Sequence, residues 1–436
     1  MTRDQAGRTE CCSGYRDATQ LSRRRLLRAM AGTGAAAVAT STFGDAARQT
    51  TFAAEGVPAG GNVLVVLSLR GGIDGLGLVV PHGDPTYYTA RPTIAVPRAS
   101  LVAADAMFGL HPAMRPLEWA FTSGELAAVH AVGLPMPNRS HFAAMELVED
   151  ADPASPERRG WVNRMIGLNA RTDPDEGVQL GSSVVPTALA GSAPGLAARR
   201  LGDVSLVGAL PTDKLAAQRR SQLDLVWSGG TGVPIYDAYR AAVRTVDRLA
   251  PTVTQPYAPA TGVSYPRSYP ATDLADAMMD TAQLIKADVG TEVVTIDYGS
   301  WDLHASYGTT AWGGMQAMTA GLAGVLDAFL RDLGPQRQRV TVVTISEFGR
   351  RILENGSRGL DHGWGSMMLV MGAGVRGGRY YGSWPGLGDG RHPDQDLAVT
   401  TDYRQVIGEV VTRRFPDRSI ASVFPGLTYA PLGLMT

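Results

Sequence analysis

The chain has 436 residues, with 40 Lys and Arg against 41 Asp and Glu, so its formal net charge is -1. This balance argues against a nucleic-acid-binding protein, which would carry a basic face. A hydrophobic content of 44% with 19% charged residues excludes a largely disordered chain. The 52 Gly and 27 Pro follow no period, which excludes a collagen-like chain and favours a loop-rich α/β protein.

The N-terminal residues have the layout of a twin-arginine export signal. Arginines at 23–25 stand directly before two leucines, and a weakly apolar stretch rich in Ala and Gly follows over 29–43. We expect cleavage between Ala46 and Ala54, the twin-arginine translocase as a partner, and a periplasmic or extracellular location. A disordered basic N-terminus is the alternative.

The sequence predicts a leader over residues 1–54 and a single domain over 55–436, with a helical, less regular section at about 155–270. Both cysteines, Cys11 and Cys12, lie in the leader, so the exported domain would carry neither a disulfide nor a thiolate. No later run of about 20 apolar residues occurs, and we expect no membrane-spanning segment in the mature chain.

Apolar runs of strand length recur in the remainder and are continuous, as in strands buried on both faces of a parallel sheet. These runs are Val63–Leu69, Leu126–Val132, Val293–Ile296, Val340–Ile345 and Met367–Met371. Helical patterns lie between them, at Ala113–Ala120, Trp161–Leu168, Tyr236–Leu249, Asp273–Lys286, Met315–Leu333 and Tyr403–Arg414. Asp402 is a plausible N-cap for the last helix, and Pro251–Arg267 is interpreted as a surface excursion. This alternation predicts an α/β fold: a three-layer sandwich with a mostly parallel central sheet.

Polar residues follow four of these strands at the point where each strand ends. The carboxyl ends of parallel strands meet at one edge of the sheet, where ligands bind. Carboxylates and imidazoles together suit a divalent metal, zinc or manganese, as one or two ions. The residues expected to converge are Asp74, Ser140, Asp302, His304, Glu347 and His362.

Structural roles remain open for several of these residues. Asp74 and Ser140 could each cap a following helix. Glu347 could pair with Arg350 or Arg351 at a helix start. The other histidines are expected to have mainly structural roles, although His141, beside Ser140, could assist at the predicted site.

Several familiar motifs are absent or fail in context. Gly372–Gly377 matches G-x-G-x-x-G, but the chain continues with a strand- or turn-like sequence instead of the helix that a dinucleotide site needs. No P-loop, no G-x-S-x-G elbow and no H-E-x-x-H motif occurs.

The leader, the Arg-Gly-Gly-x-Asp-Gly turn at 70–75, the segments 138–142 and 301–304, and Ser-Glu-Phe-Gly-Arg at 346–350 together resemble a large bacterial family. It is a domain-of-unknown-function family of exported proteins, distantly similar to the alkaline phosphatase and sulfatase superfamily. The likeness runs from about Val63 to the end and implies an alkaline-phosphatase-like fold.

The resemblance also implies two metal sites. Asp74, Ser140 and Glu347 resemble ligands of one metal, but Phe348 stands where the superfamily has His. Asp361 is the candidate substitute for the missing ligand.

Asp302, His304 and His362 resemble the ligands of the other metal. Asp297 is a rival to Asp302.

Two functions follow from the sequence. The first is an exported metal-dependent hydrolase acting on phosphate or related small-molecule esters, with Ser140 as the metal-activated nucleophile and Arg139 or Arg350 gripping the non-bridging oxygens. The alternative is a non-catalytic exported binding or assembly protein with a degenerate metal site, which Phe348 motivates.

Overall fold

The computed structural model describes residues 61–152, 158–169, 173–206, 213–227, 229–230, 232–254, 256–388 and 395–436. The predicted leader lies outside the described residues. Among those residues, no helix combines the length and the apolar character needed to cross a membrane.

The centre of the structure is one mixed sheet. Its strands are β1 Val63–Arg70, β4 Leu126–Gly133, β5 Gly177–Leu180, β6 Leu196–Ala198, β7 Val293–Gly299, β8 Val340–Ile345, β9 Ser366–Gly372, β10 Tyr380–Tyr381 and β11 Thr401–Asp402. The order across the sheet is β10-β4-β9-β8-β1-β7-β5-β6, and β11 pairs with β4. A single strand, β9, runs antiparallel to both of its neighbours. A separate antiparallel pair joins β2 Val79–Val80 to β3 Gly109–Leu110.

Helices cover both faces of this sheet. They are α1 Gly75–Leu78, α2 Thr86–Ala90, α3 Glu118–Thr122, α4 His141–Asp150, α5 Trp161–Ile166, α6 Asp213–Trp227, α7 Pro234–Val253, α8 Thr272–Ala287, α9 Gly314–Asp332, α10 Tyr403–Arg414 and α11 Ile420–Val423. Successive residues of β1 point to opposite faces: Val65 and Leu67 join the apolar core under α8 and α9, whereas Leu64 and Val66 join the core under α4, α5 and α10. The expected three-layer sandwich with a mostly parallel sheet is confirmed.

All five predicted strands are present, and β5 and β6 extend the sheet with runs of four and three residues. These runs are too short for their apolar content to mark them as strands. The predicted helix at Ala113–Ala120 divides into a 3-10 segment, Pro112–Leu117, and α3, because Pro116 cannot donate a backbone hydrogen bond. The predicted cap is confirmed, since the Asp402 carboxylate accepts a hydrogen bond from the Arg404 amide.

The segment Pro251–Arg267 is not a surface excursion throughout, and that expectation is wrong. Helix α7 continues to Val253, and Tyr265 is buried with its hydroxyl 2.9 Å from a carboxylate oxygen of Asp332 on α9. The Lys286 ammonium lies 2.6 Å from the other oxygen of Asp332. The segment is therefore held to α8 and α9 by a buried polar group that its own sequence does not reveal.

The rejected dinucleotide motif is confirmed as a turn. Gly372, the last residue of β9, and Gly374 adopt positive φ angles of 95° and 77°, and the chain passes into β10 without forming a helix.

Candidate metal centre

Three imidazoles converge at the carboxyl edge of the sheet, in the loops after β4, β7 and β8. The Nε2 atom of His362 lies 3.0 Å from Nε2 of His141 and 3.0 Å from Nε2 of His304. The Asp302 carboxylate joins them, with Oδ1 3.3 Å from His362 Nε2 and 3.0 Å from His304 Nε2. These four residues are called the histidine cluster below.

Each imidazole of the histidine cluster is oriented through its other nitrogen, Nδ1. The partners are Glu347 for His141 at 2.7 Å, Asp361 for His304 at 2.9 Å, and the carbonyl oxygen of Arg139 for His362 at 2.9 Å. Carboxylate and carbonyl oxygens only accept, so each neutral ring must donate from Nδ1 and carry its lone pair on Nε2. This is the arrangement that orients histidine ligands in metal sites.

The geometry fits a divalent ion. Lone pairs of Nε2 atoms only 3.0 Å apart repel one another, and a cation between them removes that repulsion. Tetrahedral ligands at bond lengths of 2.0–2.1 Å are separated by roughly 3.3 Å. Ligand atoms of His141, Asp302 and His362 all lie within 4.8 Å of one another, and His304 adjoins the last two.

The charged state of the cluster also suits a metal. Burial would raise the pKa of Asp302, but the Arg350 guanidinium and the neighbouring His304 and His141 lower it. Burial lowers the pKa of His362, and nearby Arg350 adds to that effect. Asp302 is therefore anionic and His362 neutral, which are the forms that bind a metal.

The two carboxylates behind the imidazoles are also stabilised as anions. Burial acts to raise the pKa of Glu347, but hydrogen bonds from His141 and from the backbone of Gly71 and Gly72 lower it. The pKa of Asp361 is lowered by its hydrogen bonds from Asn355 and His304. Both residues were expected as metal ligands, and the structure places each behind an imidazole as its acceptor.

Arg350 lies beneath the histidine cluster and is only 2% exposed. Its guanidinium donates to the carbonyl oxygens of Gly72 at 2.6 Å and Leu360 at 2.9 Å, and to Asp302 Oδ1 at 2.5 Å. The structure thus places Arg350 as a positioning group for Asp302 and for the loops after β1 and β8, away from a solvent-facing substrate contact.

The loops after β1 and β7 approach each other closely at Gly71. Its φ is +109°, and a Cβ atom there would lie 2.7 Å from the backbone nitrogens of Trp301 and Asp302. Only glycine fits such an approach, and this contact sets the position of Asp302 relative to the end of β1.

Asp74 is not brought into the histidine cluster. Its carboxylate is 3% exposed and forms a two-pronged ion pair with Arg91 at 2.6 and 3.0 Å. The Tyr307 hydroxyl donates to the same carboxylate at 2.5 Å. Asp74 precedes the short helix α1 without a side-chain cap hydrogen bond, so the pair with Arg91 accounts for its burial.

Ser140 and Arg139 lie beside His141 on the loop leading into α4. Ser140 is exposed and occupies the N-cap position, but its side chain makes no cap hydrogen bond. Arg139 pairs with the buried Asp396 through its guanidinium, and its carbonyl oxygen holds His362.

Phe348 fills the space behind two of the imidazoles. Its buried ring lies 4.8 Å from the ring of His141 and 4.9 Å from that of His362, measured between centroids. An apolar ring at this position supports the imidazoles by packing and offers no ligand atom.

Sequence reasoning gave His141 only an assisting role, whereas the structure places it among the candidate ligands. The signal available was its position directly after a strand-end loop and beside Ser140. The acceptor role of the Arg139 carbonyl has no sequence signal, because every residue carries that group.

The fold and the cluster together define a three-layer α/β protein with a candidate metal centre at the edge of its sheet. Residues 260–415 match the model of a family described as "Protein of unknown function (DUF1501)", which confirms over that segment the resemblance to a domain-of-unknown-function family. The match includes Asp302, His304 and His362, whereas His141 lies outside it. No curated protein matches the chain.

Solved structures similar to the chain include enzymes of the alkaline phosphatase and sulfatase type. Phosphonate monoester hydrolase SpPMH from Silicibacter pomeroyi is 10% identical, with 85% of this chain and 78% of that chain covered and a TM-score of 0.37. The PsFucS1 sulfatase from Pseudoalteromonas sp. is 11% identical, with 86% and 73% covered and a TM-score of 0.33. Alkaline phosphatase from the Antarctic bacterium TAB5 is 10% identical, with 74% and 95% covered and a TM-score of 0.29. At these low values, the chemistry of the site has to follow from its own residues.

Proposed function

We propose that the chain is a metal-dependent hydrolase of phosphate or related esters, with one divalent ion, zinc or manganese, held by the histidine cluster. The observation that carries this proposal is the convergence of three Nε2 atoms and one carboxylate, each imidazole being fixed through its Nδ1. His141, Asp302 and His362 offer two nitrogens and one oxygen within 4.8 Å of one another, and His304 adds a nitrogen beside Asp302 and His362. Such a borderline ligand set suits these ions.

A bound divalent ion would polarise an ester oxygen and neutralise charge that develops on it. The protein supplies the orientation. Glu347 and Asp361 fix the rings of His141 and His304, and Arg350 fixes the Asp302 carboxylate. These contacts hold the ligand atoms in place without any substrate present, which reduces the reorganisation needed during reaction.

Ser140 is the proposed nucleophile. Its exposed hydroxyl is not used in capping α4, and it immediately precedes His141. In the proposed step, the Ser140 oxygen forms a bond to phosphorus while the bond from phosphorus to the alcohol oxygen breaks. The hydroxyl proton leaves to solvent and the alcohol takes up a proton. Water then hydrolyses the phosphoserine and releases phosphate.

A binding protein without catalysis is the second candidate, and two observations favour it. Asp74 is committed to Arg91, and the ring of Phe348 occupies the space behind His141 and His362. Both features are consistent with one ion and with no second ion to stabilise the leaving oxygen.

Metal analysis and kinetics on the same sample separate the two candidates. We expect one equivalent of zinc or manganese and metal-dependent hydrolysis of an aryl phosphate. Ser140→Ala should lower the rate at least about a hundred-fold, since nucleophile loss removes the covalent route. Ser221→Ala, which removes a hydroxyl bonded only within α6, is the control. One equivalent of metal without turnover identifies the binding protein, and an unchanged rate in Ser140→Ala removes Ser140 from the mechanism.

We also propose export by the twin-arginine pathway to the periplasm or the exterior, supported by the arginine cluster before the apolar stretch. Replacing both Arg23 and Arg24 by Lys is expected to retain the protein in the cytoplasm. Cell fractionation measures this, and undiminished export of the double variant contradicts the proposal.

A further inference from the structure

A cavity of about 560 Å³ adjoins the histidine cluster on the side of α4. His141 and Glu347 form part of its lining, so the cavity meets the histidine cluster at His141; Ser140, Asp302, His304 and His362 are not among its lining residues. The volume lies within the range of about 300–1,000 Å³ that is usual for small-molecule sites. The other residues that line the cavity determine which kind of substituent it can bind.

One wall of the cavity is an exposed aromatic ring. Phe142 follows His141 on α4 and is 89% exposed. Burial in the core does not account for a phenylalanine at this exposure. A flat apolar ring at the edge of the cavity offers a stacking surface to a ligand with a ring face of its own.

Arg70 and Glu149 form an ion pair that also lines the cavity. The Arg70 guanidinium lies 2.5 Å from a carboxylate oxygen of Glu149 and 2.8 Å from a carboxylate oxygen of Asp297. Glu149 is 9% exposed, and burial raises its pKa although Arg70 opposes that shift. A guanidinium and a carboxylate side by side present donors and acceptors together, which matches adjacent hydroxyl groups because each hydroxyl both donates and accepts.

The charge of the lining disfavours a second anionic group. Arg70 and Arg158 contribute two positive charges, while Glu146, Glu149 and Glu347 contribute three negative ones. Phe142 and Met145 make much of the exposed lining apolar, but a purely apolar substituent would take the Arg70–Glu149 pair out of water without replacing its hydrogen bonds.

We infer that this cavity binds the alcohol part of the ester, and that this part is a polyhydroxylated ring, as in a sugar phosphate. Phe142 stacks on the ring face while Arg70 and Glu149 bond to its hydroxyls. This inference rests on the proposed function for the location of the phosphate, but the sugar contacts do not need the metal.

Two matched phosphates test the inference by calorimetry on the metal-loaded Ser140→Ala protein, in which the proposed nucleophile is absent and the esters should bind without being hydrolysed. Glucose 6-phosphate and cyclohexylmethyl phosphate both attach phosphate through a CH₂ group to a six-membered ring, and only the first carries ring hydroxyls. Glucose 6-phosphate is expected to bind at least about ten-fold more tightly, because a site built for hydroxyls rejects the analogue that lacks them. Equal or tighter binding of cyclohexylmethyl phosphate overturns the inference.

Substitutions in the cavity wall test which residue contacts the sugar ring. Phe142→Ala should weaken glucose 6-phosphate roughly three- to ten-fold, the value of an aromatic contact, and leave inorganic phosphate binding unchanged. Met136→Ala is the matched control, because Met136 is 74% exposed and is not among the residues that line the cavity. An unchanged affinity in Phe142→Ala removes the stacking contact and overturns the inference.

A metal-independent measurement separates failure of this inference from failure of the proposed function. Saturation-transfer NMR with methyl glucoside should show binding to the metal-free protein, with a signal that is clearly smaller in Phe142→Ala. If no metal or inorganic phosphate binds but this signal is present, the hydrolase proposal fails and the sugar site stands. If metal and inorganic phosphate bind but methyl glucoside gives no signal, the sugar site fails alone.

Discussion

Replacing His362 by Ala is expected to abolish stoichiometric binding of zinc or manganese. Its Nε2 atom is 3.0 Å from the Nε2 atoms of both His141 and His304 and 3.3 Å from Asp302 Oδ1, so the variant removes the atom that joins the other ligands. Elemental analysis after dialysis should find one equivalent in the parent protein and far less in the variant. Added metal should also raise the melting temperature of the parent protein but not that of the variant.

Comparing the metal affinities of variants distinguishes a metal ligand from the residue that orients it. Glu347→Gln keeps an acceptor for His141 Nδ1 but removes the negative charge, and such changes typically weaken metal binding about 10–100-fold. His82→Ala is the control, because it removes an imidazole whose Nε2 lies 3.0 Å from the carbonyl oxygen of Asp105 and belongs to no candidate ligand set. Full metal content with unchanged affinity in His362→Ala would refute the metal centre.

The order of strands and helices could be predicted because buried parallel strands produce continuous apolar runs. The same reasoning predicted that Asp302, His304 and His362 converge, since each follows a strand at the same edge of the sheet. Asp302 and His304 are also close in the chain, because both lie early in the loop that follows β7. Edge strands of three or four residues, such as β6, carry too few apolar residues to be recognised.

Roles set by distant partners could not be predicted. Glu347 and Asp361 have the residue types of ligands, and only the fold shows that an imidazole lies in front of each. Arg350 is adjacent to the site in sequence, but an isolated β-bridge between Arg350 and His362 fixes its backbone so that the guanidinium lies among backbone carbonyl groups. Such contacts depend on loops whose paths no local pattern determines.

Asp74 was expected as a metal ligand, whereas its position in the structure predicts a role in stability. Asp74 is 3% exposed and Arg91 is not exposed at all, and Arg91 also donates to the carbonyl oxygens of Ile352 and Arg351 at 2.9 and 3.0 Å. Asp74→Asn leaves the Arg91 charge buried without a counter-ion, and removing one partner of a buried pair typically costs about 3–5 kcal/mol. We expect the free energy of unfolding in urea to fall by that amount while the metal content stays at one equivalent.

The double variant Asp74→Leu with Arg91→Met sharpens this prediction. Removing both charges leaves no uncompensated ion, so the double variant should be more stable than Asp74→Asn. A ligand role gives the opposite pattern: Asp74→Asn and the double variant would both lose metal, and restoring apolar packing would not recover it. Because three hydrogen bonds from Arg91 and Tyr307 engage both oxygens of the buried Asp74 carboxylate, a metal ion would have to displace Arg91 and leave that guanidinium buried alone. That cost is why the ion pair and a metal ligand role for Asp74 exclude each other.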